Sequence, residues 1–141
     1  MFSKSADFYD LIYCNLKNYQ TDSETIKSLI LKRNPDAKTI LNVACSTGEH
    51  DKFLKNDFSV DGLDINQTFI DLSQKKNELG NYFLCDMSDF DLKKKYDVIL
   101  CLYTSIGYLK SYDQLKQTLA NFANHLNKNG VVFIEPWVVR M

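Results

Sequence analysis

The segment Thr39-Ile-Leu-Asn-Val-Ala-Cys-Ser-Thr-Gly-Glu-His50 runs an apolar strand into a turn of small residues and then into the start of a helix. Strand, tight turn and helix N-terminus in that order present unpaired backbone N–H groups and the positive end of a helix dipole to the space above a sheet. The polar part of a nucleotide-like cofactor commonly sits there. Twenty residues beyond Ala44, Asp64 closes a second apolar run, Val60-Asp-Gly-Leu-Asp64. That interval suits a carboxylate that accepts both hydroxyls of a ribose at the tip of the neighbouring strand. The dinucleotide fingerprint G-x-G-x-x-G is absent: the corresponding positions are Ala44, Ser46 and Glu49, and Gly48 is the only glycine of the turn. A dinucleotide dehydrogenase is disfavoured on that ground. Small residues also cluster in ordinary loops, so the turn reads as a binding element only in company with Asp64.

The same alternation continues on both sides of this unit. Thr21-Asp-Ser-Glu24 has the spacing of a capping box and predicts a helix that Asn34-Pro35 ends. Strands are expected near 38–44, 59–63, 82–85, 96–102 and 131–135, with helices near 48–56, 66–78 and 112–126 and a stop at Asn127-Lys-Asn-Gly130. Near-continuous apolar strands joined by helices predict an α/β fold with a doubly wound, mostly parallel sheet, whose ligands gather outside the carboxyl ends of the strands. Ala44, Asp64, Asp86, Leu102 and Glu135 all fall there. One domain over 1–141 is expected, with an N-terminal lid or helical segment over 1–35 and the sheet core over 36–141. Met141 follows Glu135 by six residues, which leads us to expect a C-terminally incomplete sheet whose open edge favours a homodimer.

Composition narrows the partners. Hydrophobic residues make up 45% and charged residues 25% of the chain, ordinary values for a globular protein. Seventeen basic against eighteen acidic residues leave a formal net charge of −1, and Lys93-Lys94-Lys95 reads as a solvated turn, too short a run to hold a nucleic acid. Cys14, Cys45, Cys85 and Cys101 are far apart, without a C-x-x-C pair, so reduced core thiols are expected rather than a zinc site or disulfide framework. No apolar run approaches membrane-spanning length and the N-terminus lacks an apolar signal region, so a cytoplasmic protein without membrane contact is expected.

Taken together, Leu41-Asn-Val-Ala-Cys-Ser-Thr-Gly-Glu-His50, Gly62-Leu-Asp64, Cys85-Asp-Met-Ser-Asp-Phe90, Thr104-Ser-Ile-Gly-Tyr-Leu109 and the stretch from Gly130 to Glu135-Pro-Trp137 resemble the class I S-adenosylmethionine-dependent methyltransferases. Tyr9-Asp-Leu-Ile-Tyr13, Lys17-Asn-Tyr19 and the Ser-Ile-Gly-Tyr and Glu-Pro-Trp elements are similar to the branch that N,N-dimethylates nucleotide-linked amino-deoxysugars. The resemblance covers essentially the whole chain. It implies S-adenosylmethionine as cofactor and a small polar acceptor. It also implies an antiparallel hairpin after the Glu-Pro-Trp element, which this chain is expected to lack.

By that resemblance the backbone at Ala44, Ser46 and Gly48 wraps the methionine portion of the cofactor, and Asp64 takes the ribose hydroxyls. Ile65 flanks adenine, Asp86 and Met87 hold its edge, and Leu102 lies with them at the strand ends. Tyr19 folds over the carboxylate or sulfonium end and Tyr13, the catalytic candidate, over the acceptor amine; aromatic faces suit a sulfonium cation. Ser105, Tyr108 and Trp137 line the acceptor site by placement. Other readings stay open: Asp64 with Asn66 also suits a helix cap, Asp86 an Asx-turn, and Phe8, Tyr9, Tyr13 and Tyr19 an apolar stripe that pins a terminal segment. His50 suits either the cofactor's methionine end or helix packing, and His125 a helix C-terminus rather than a base.

Two positions depart from the family's usual Asp-Val-Ala-Cys-Gly-Thr-Gly. Asn42 keeps an acceptor oxygen but loses the charge. Ser46 adds a Cβ, which either crowds the methionine portion or forces a glycine-like conformation. These departures motivate a second reading, a non-catalytic nucleotide-binding or interaction module on the same fold. A nucleotide-sugar or nicotinamide oxidoreductase is a third, weakened by the missing glycines.

Overall fold

Val98, Ile99, Leu100 and Cys101 are all buried, as are Ile40, Leu41, Asn42 and Val43. Two strands with no solvent-facing side can only lie at the centre of a sheet covered on both faces. The computed structural model describes residues 18–103 and 105–135. In chain order the elements are α1 (Tyr19–Arg33), β1 (Thr39–Val43), α2 (Glu49–Leu54), β2 (Ser59–Asp64), α3 (Gln67–Lys76) and β3 (Tyr82–Leu84). There follow β4 (Tyr96–Cys101), a short 3₁₀ turn (Ser105–Tyr108), α4 (Tyr112–Asn124) and β5 (Leu126–Ile134).

The five strands form one sheet in the order β3-β2-β1-β4-β5, and every pairing is parallel. The chain winds from β1 outward to β3, then returns to the other side of β1 for β4 and β5, so the point of reversal lies between β1 and β4. At such a reversal the loops leaving the two strands part company and open a crevice at their carboxyl ends. The period-2 alternation of each strand divides the core. Ile40, Val60, Val98 and Leu100 pack with Ile30 and Leu54 on one face, whereas Leu41, Val43, Leu63 and Ile99 pack with Phe90 and Phe122 on the other.

Three local expectations need correction. The helix α1 begins at Tyr19, capped by Asn18, whose Oδ1 accepts from the Thr21 N–H at 3.0 Å; Thr21 therefore lies inside the first turn and is not the cap. The segment Asn127–Gly130 does not stop α4. That helix ends at His125, and the four residues belong to β5, where the register with β4 shifts between Tyr96 and Val98. The Tyr96 N–H reaches back to the His125 carbonyl at 2.8 Å, and Asn129 takes φ 65°. The strand thus starts earlier, and its extra residues bulge, as a left-handed residue permits. His125 is buried: its Nε2 accepts from the Leu92 N–H and its Nδ1 donates to the Asn121 carbonyl, so the ring is held in place by structure.

Lys94 is the third correction. Rather than sharing a solvated turn with its neighbours, it points inward and meets the buried carboxylate of Asp61 at 2.9 Å. Asp61 also accepts from the Tyr96 hydroxyl at 2.7 Å and from the Asn81 N–H at 2.9 Å. Burial pushes this carboxyl up, but those donors and the lysine outweigh it and hold it below the usual carboxylate range. The group ties β2, β4 and the start of β3 together from mid-sheet. Among the described residues Cys45, Cys85 and Cys101 are free thiols, and no helix is long and apolar enough to cross a membrane.

Tyr96→Phe keeps the ring but removes one donor from a buried carboxylate. Urea denaturation is expected to show a loss of about 1–3 kcal/mol; a loss under about 0.5 kcal/mol, the scatter typical of surface substitutions, would contradict this account of Asp61.

Candidate functional site

The turn after β1 is built from left-handed residues at alternate positions: Ala44 at φ 57°, Ser46 at φ 53° and Gly48 at φ 78°. Side chains cost about 1–2 kcal/mol each in that region, so the conformation persists only where its surroundings fix it. They do so at the peptides of Ser46. Its N–H donates to Asp64 Oδ2 at 3.0 Å and its carbonyl accepts from Ser73 Oγ at 2.8 Å. The Cys45 N–H donates to the Leu63 carbonyl and the Gly48 N–H to the Cys45 carbonyl. Ser46 thus adopts the glycine-like conformation, the second of the two outcomes considered for its Cβ.

Asp64 ends β2 and faces this turn. Its Oδ1 accepts from the Asn66 N–H at 3.1 Å, while Asn66 itself caps α3 by accepting from the Phe69 N–H. The carboxylate therefore joins the turn, the strand tip and the helix entrance. Burial pushes its pKa up, and the N–H groups of Ser46, Asn66 and Ile65 offset part of that rise. Asp86 does form an Asx-turn, accepting from both the N–H and the Oγ of Ser88.

A cavity of about 840 Å³ opens above these strand ends, a volume within the range typical of small-molecule and cofactor sites. Ala44, Ser46, Asp64, Ile65, Asp86 and Met87 line one part of it, and Tyr19, Leu102, Ser105 and Tyr108 another. Gly48 is not among the lining residues. It caps α2 beneath the turn, and a Cβ there would lie 2.9 Å from Ser73 Oγ, so its contribution is room and backbone freedom. Tyr13 and Trp137 lie outside the described residues. Among the described residues no group of three or more His, Cys, Asp or Glu side chains is arranged to hold a metal ion.

Sequence reading named Tyr19 and His50 but not Asp22 and Tyr103, which join them in a cluster along the cavity. Asp22 of α1 accepts from the Tyr103 hydroxyl at 2.6 Å and contacts His50 Nε2 at 2.9 Å. The His50 ring stands edge-on to Tyr19, with centroids 5.0 Å apart, and lies 4.9 Å from Tyr103. Burial, then the Asp22 carboxylate, pushes the Tyr103 hydroxyl well up, so it stays a donor. The cluster joins residues up to 81 positions apart, which no local pattern reveals. Asn42 also reaches the cavity; its departure from the usual aspartate was the one signal that marked it.

Comparison with known proteins gives these features a family. Residues 40–130 match the model of a methyltransferase domain. The chain is 36% identical to dTDP-3-amino-3,4,6-trideoxy-alpha-D-glucopyranose N,N-dimethyltransferase of Streptomyces venezuelae over 94% of its own length and 56% of the relative's. It is 32% identical to dTDP-3-amino-3,6-dideoxy-alpha-D-glucopyranose N,N-dimethyltransferase of Streptomyces fradiae, again over 94% of this chain and over 52% of the relative. It thus spans about half the length of the curated relatives it matches. Among solved structures, Streptomyces venezuelae DesVI superposes with a TM-score of 0.88 at 35% identity, covering 94% of this chain and 57% of that one. A SAM-bound amino pentose methyltransferase from Micromonospora echinaspora gives 0.87 at 27% identity, covering 92% and 56%.

The backbone account of the turn has a direct test. Ser46→Gly removes the side chain from a left-handed residue, and the relief, reduced by glycine's larger unfolded-state entropy, is expected to raise stability by up to about 1 kcal/mol. Thermal unfolding showing a lower midpoint than the unsubstituted chain would contradict the strain assigned to Ser46.

Proposed function

The chain belongs to the methyltransferase-domain family, and on that footing we propose that it binds S-adenosylmethionine above the turn Ala44–Gly48 and methylates the amino group of a nucleotide-linked amino-deoxysugar. The single observation that carries this reading is the pairing of Ser46 with Asp64. It sets an accepting carboxylate at the rim of a cavity of about 840 Å³ whose floor is a strand-end turn. The acceptor class rests on the amino-sugar dimethyltransferases that the chain resembles along 94% of its length.

The residues present suit that cofactor. Asp64 takes the ribose hydroxyls with lone pairs beyond those used by Ser46 and Asn66. Ile65 is 75% exposed at the cavity wall, an apolar surface that an adenine face would cover with favourable loss of hydration. Asp86 and Met87 meet the adenine edge, the backbone of Ala44 and Ser46 follows the methionine portion, Gly48 leaves the turn its room, and Leu102 packs beneath. Tyr19 presents a π-face to a cation. Ser105 and Tyr108 line the acceptor side, to which the resemblance also assigns Tyr13 and Trp137; a small-molecule acceptor accounts for the site without nucleic acid or membrane.

Bound S-adenosylmethionine supplies a methyl group on a positively charged sulfur leaving group. The protein's task is then to hold an unprotonated amine in line with that methyl and to keep water out. Positioning of this kind supplies most of the rate when the reagent is already activated. Tyr19 meets His50 and Tyr103 edge to face, and the three rings form a wall of the cavity that serves exclusion.

Calorimetric titration with S-adenosylmethionine is expected to give one-site binding. Asp64→Ala is expected to weaken it by roughly ten- to hundred-fold, the value of hydrogen bonds to a charged acceptor. Absence of binding at millimolar cofactor would contradict the proposal. Binding without methyl transfer to a dTDP-linked amino sugar would favour the non-catalytic module.

A further inference from the structure

Directly behind the cofactor turn lies a carboxylate that the site described above does not use. Asp51 of α2 is fully buried. Two neutral donors meet it: Asn42 Nδ2 at 2.8 Å and the Tyr82 hydroxyl at 2.8 Å. It makes no ion pair among the described residues; Lys76, a cation that acts on it from further off, pairs with Glu49 at 2.8 Å. A buried anion without a paired cation is a standing cost to the fold. Asn42 supplies the link to the cavity. Its side chain is 2% exposed yet lines the cavity. One N–H of Nδ2 is given to Asp51, and Oδ1 is the side chain's acceptor, to which none of the described residues is seen to donate.

We infer that Asn42 and Asp51 work as one unit, a cation-recognising floor on which Asn42 Oδ1 accepts from a ligand ammonium group and Asp51, one hydrogen bond further back, supplies the negative charge. The inference rests on the cofactor reading of the cavity and deepens it: the ammonium is that of the methionine portion. Asp51 is a positioning residue, since it acts through Asn42. The arrangement restores at position 51 the charge that position 42 lacks, and the departure at Asn42 becomes a relocation rather than a loss.

The relocation carries a pH signature. Burial, opposed by Asn42, Tyr82 and Lys76, pushes the Asp51 carboxyl up to about 6. Groups that face it are Asn42 from β1, Cys45 from the turn, Asp61 from β2, Lys76 from α3 and Tyr82 from β3; Glu49 and His50 share its helix, paired with Lys76 and Asp22. A cation in the cavity favours the charged carboxylate, so binding expels a proton near pH 6 and protonation weakens binding. Affinity rises with pH through that window and levels off above it. Stability runs the other way: the folded-state value lies above the unfolded one, so the fold weakens as pH rises through the same range.

Calorimetry with S-adenosylmethionine between pH 5 and 8 tests this on the unsubstituted chain, on Asp51→Asn, and on the exchange Asn42→Asp with Asp51→Asn. The expected result is roughly tenfold tighter binding at pH 7.5 than at pH 5 for the unsubstituted chain. Asp51→Asn should bind roughly tenfold more weakly at pH 7.5, with that dependence lost, and the exchange should recover the affinity. Equal affinity of Asp51→Asn at pH 7.5, or a pH dependence that survives in it and so belongs to His50 or Asp64, would overturn the inference while leaving the cofactor reading intact. If the unsubstituted chain fails to bind at every pH, the cofactor reading falls and the inference with it. Should Asp51→Asn not fold, a flat profile for the unsubstituted chain, or an exchange variant that folds but does not bind, overturns the inference.

Discussion

The hydrogen bond from the Ser46 N–H to Asp64 Oδ2 is the contact on which the rest of the site depends. It holds a turn that its own residues resist, since Ala44 and Ser46 carry side chains at positive φ, and fastens that turn to the tip of the neighbouring strand. Because Asp64 also fixes the Asn66 N–H, one carboxylate sets the direction in which both α2 and α3 leave the sheet. Without it, the turn keeps its bonds to Ser73 and Leu63 but loses the one that ties the Ser46 N–H to the tip of β2.

Such a contact follows from the parallel pairing of β1 with β2, and the reversal on the other side of β1 opens the space above it. The carboxyl ends of β1 and β2 lie together by register, Val43 opposite Leu63, and β4 stands on the other side with Cys101 opposite Val43. Packing on both faces makes that register rigid: a slip of one residue would exchange the two apolar faces of every strand. The buried Asp61 network and the apolar layers thus do more than stabilise the fold. They determine where Ala44, Asp64 and Leu102 stand at the strand ends.

Much of this was legible in the sequence. The strand–turn–helix unit, the acidic residue at the second strand's end and the alternation of elements placed the sheet with Ala44 and Asp64 at its strand ends, because each is a local pattern; Ile65, Met87, Ser105 and Tyr108 came from the family resemblance instead. Element boundaries went astray where a side chain overruled local statistics: Asn18 took the cap from Thr21, and Asn129 bent β5 instead of stopping α4. His50 was legible, but its meeting with Asp22 and Tyr103 was not, since the three lie in α1, α2 and the loop after β4 and come together only in the folded chain. Asp51 was hidden for the same reason. A lone acid on a short helix reads as solvated, and only burial beside Asn42 gives it meaning.

The most direct measurement of the central claim is amide chemical-shift mapping in the ¹⁵N-labelled chain as S-adenosylmethionine is added. The account predicts that the amides of Cys45, Ser46, Asp64 and Met87 move together along one saturating curve, while those of Lys38, Asp97 and Asn127, at the opposite ends of the strands, stay still. Shifts concentrated at those far ends, or a saturating response that leaves Ser46 and Asp64 unmoved, would contradict it.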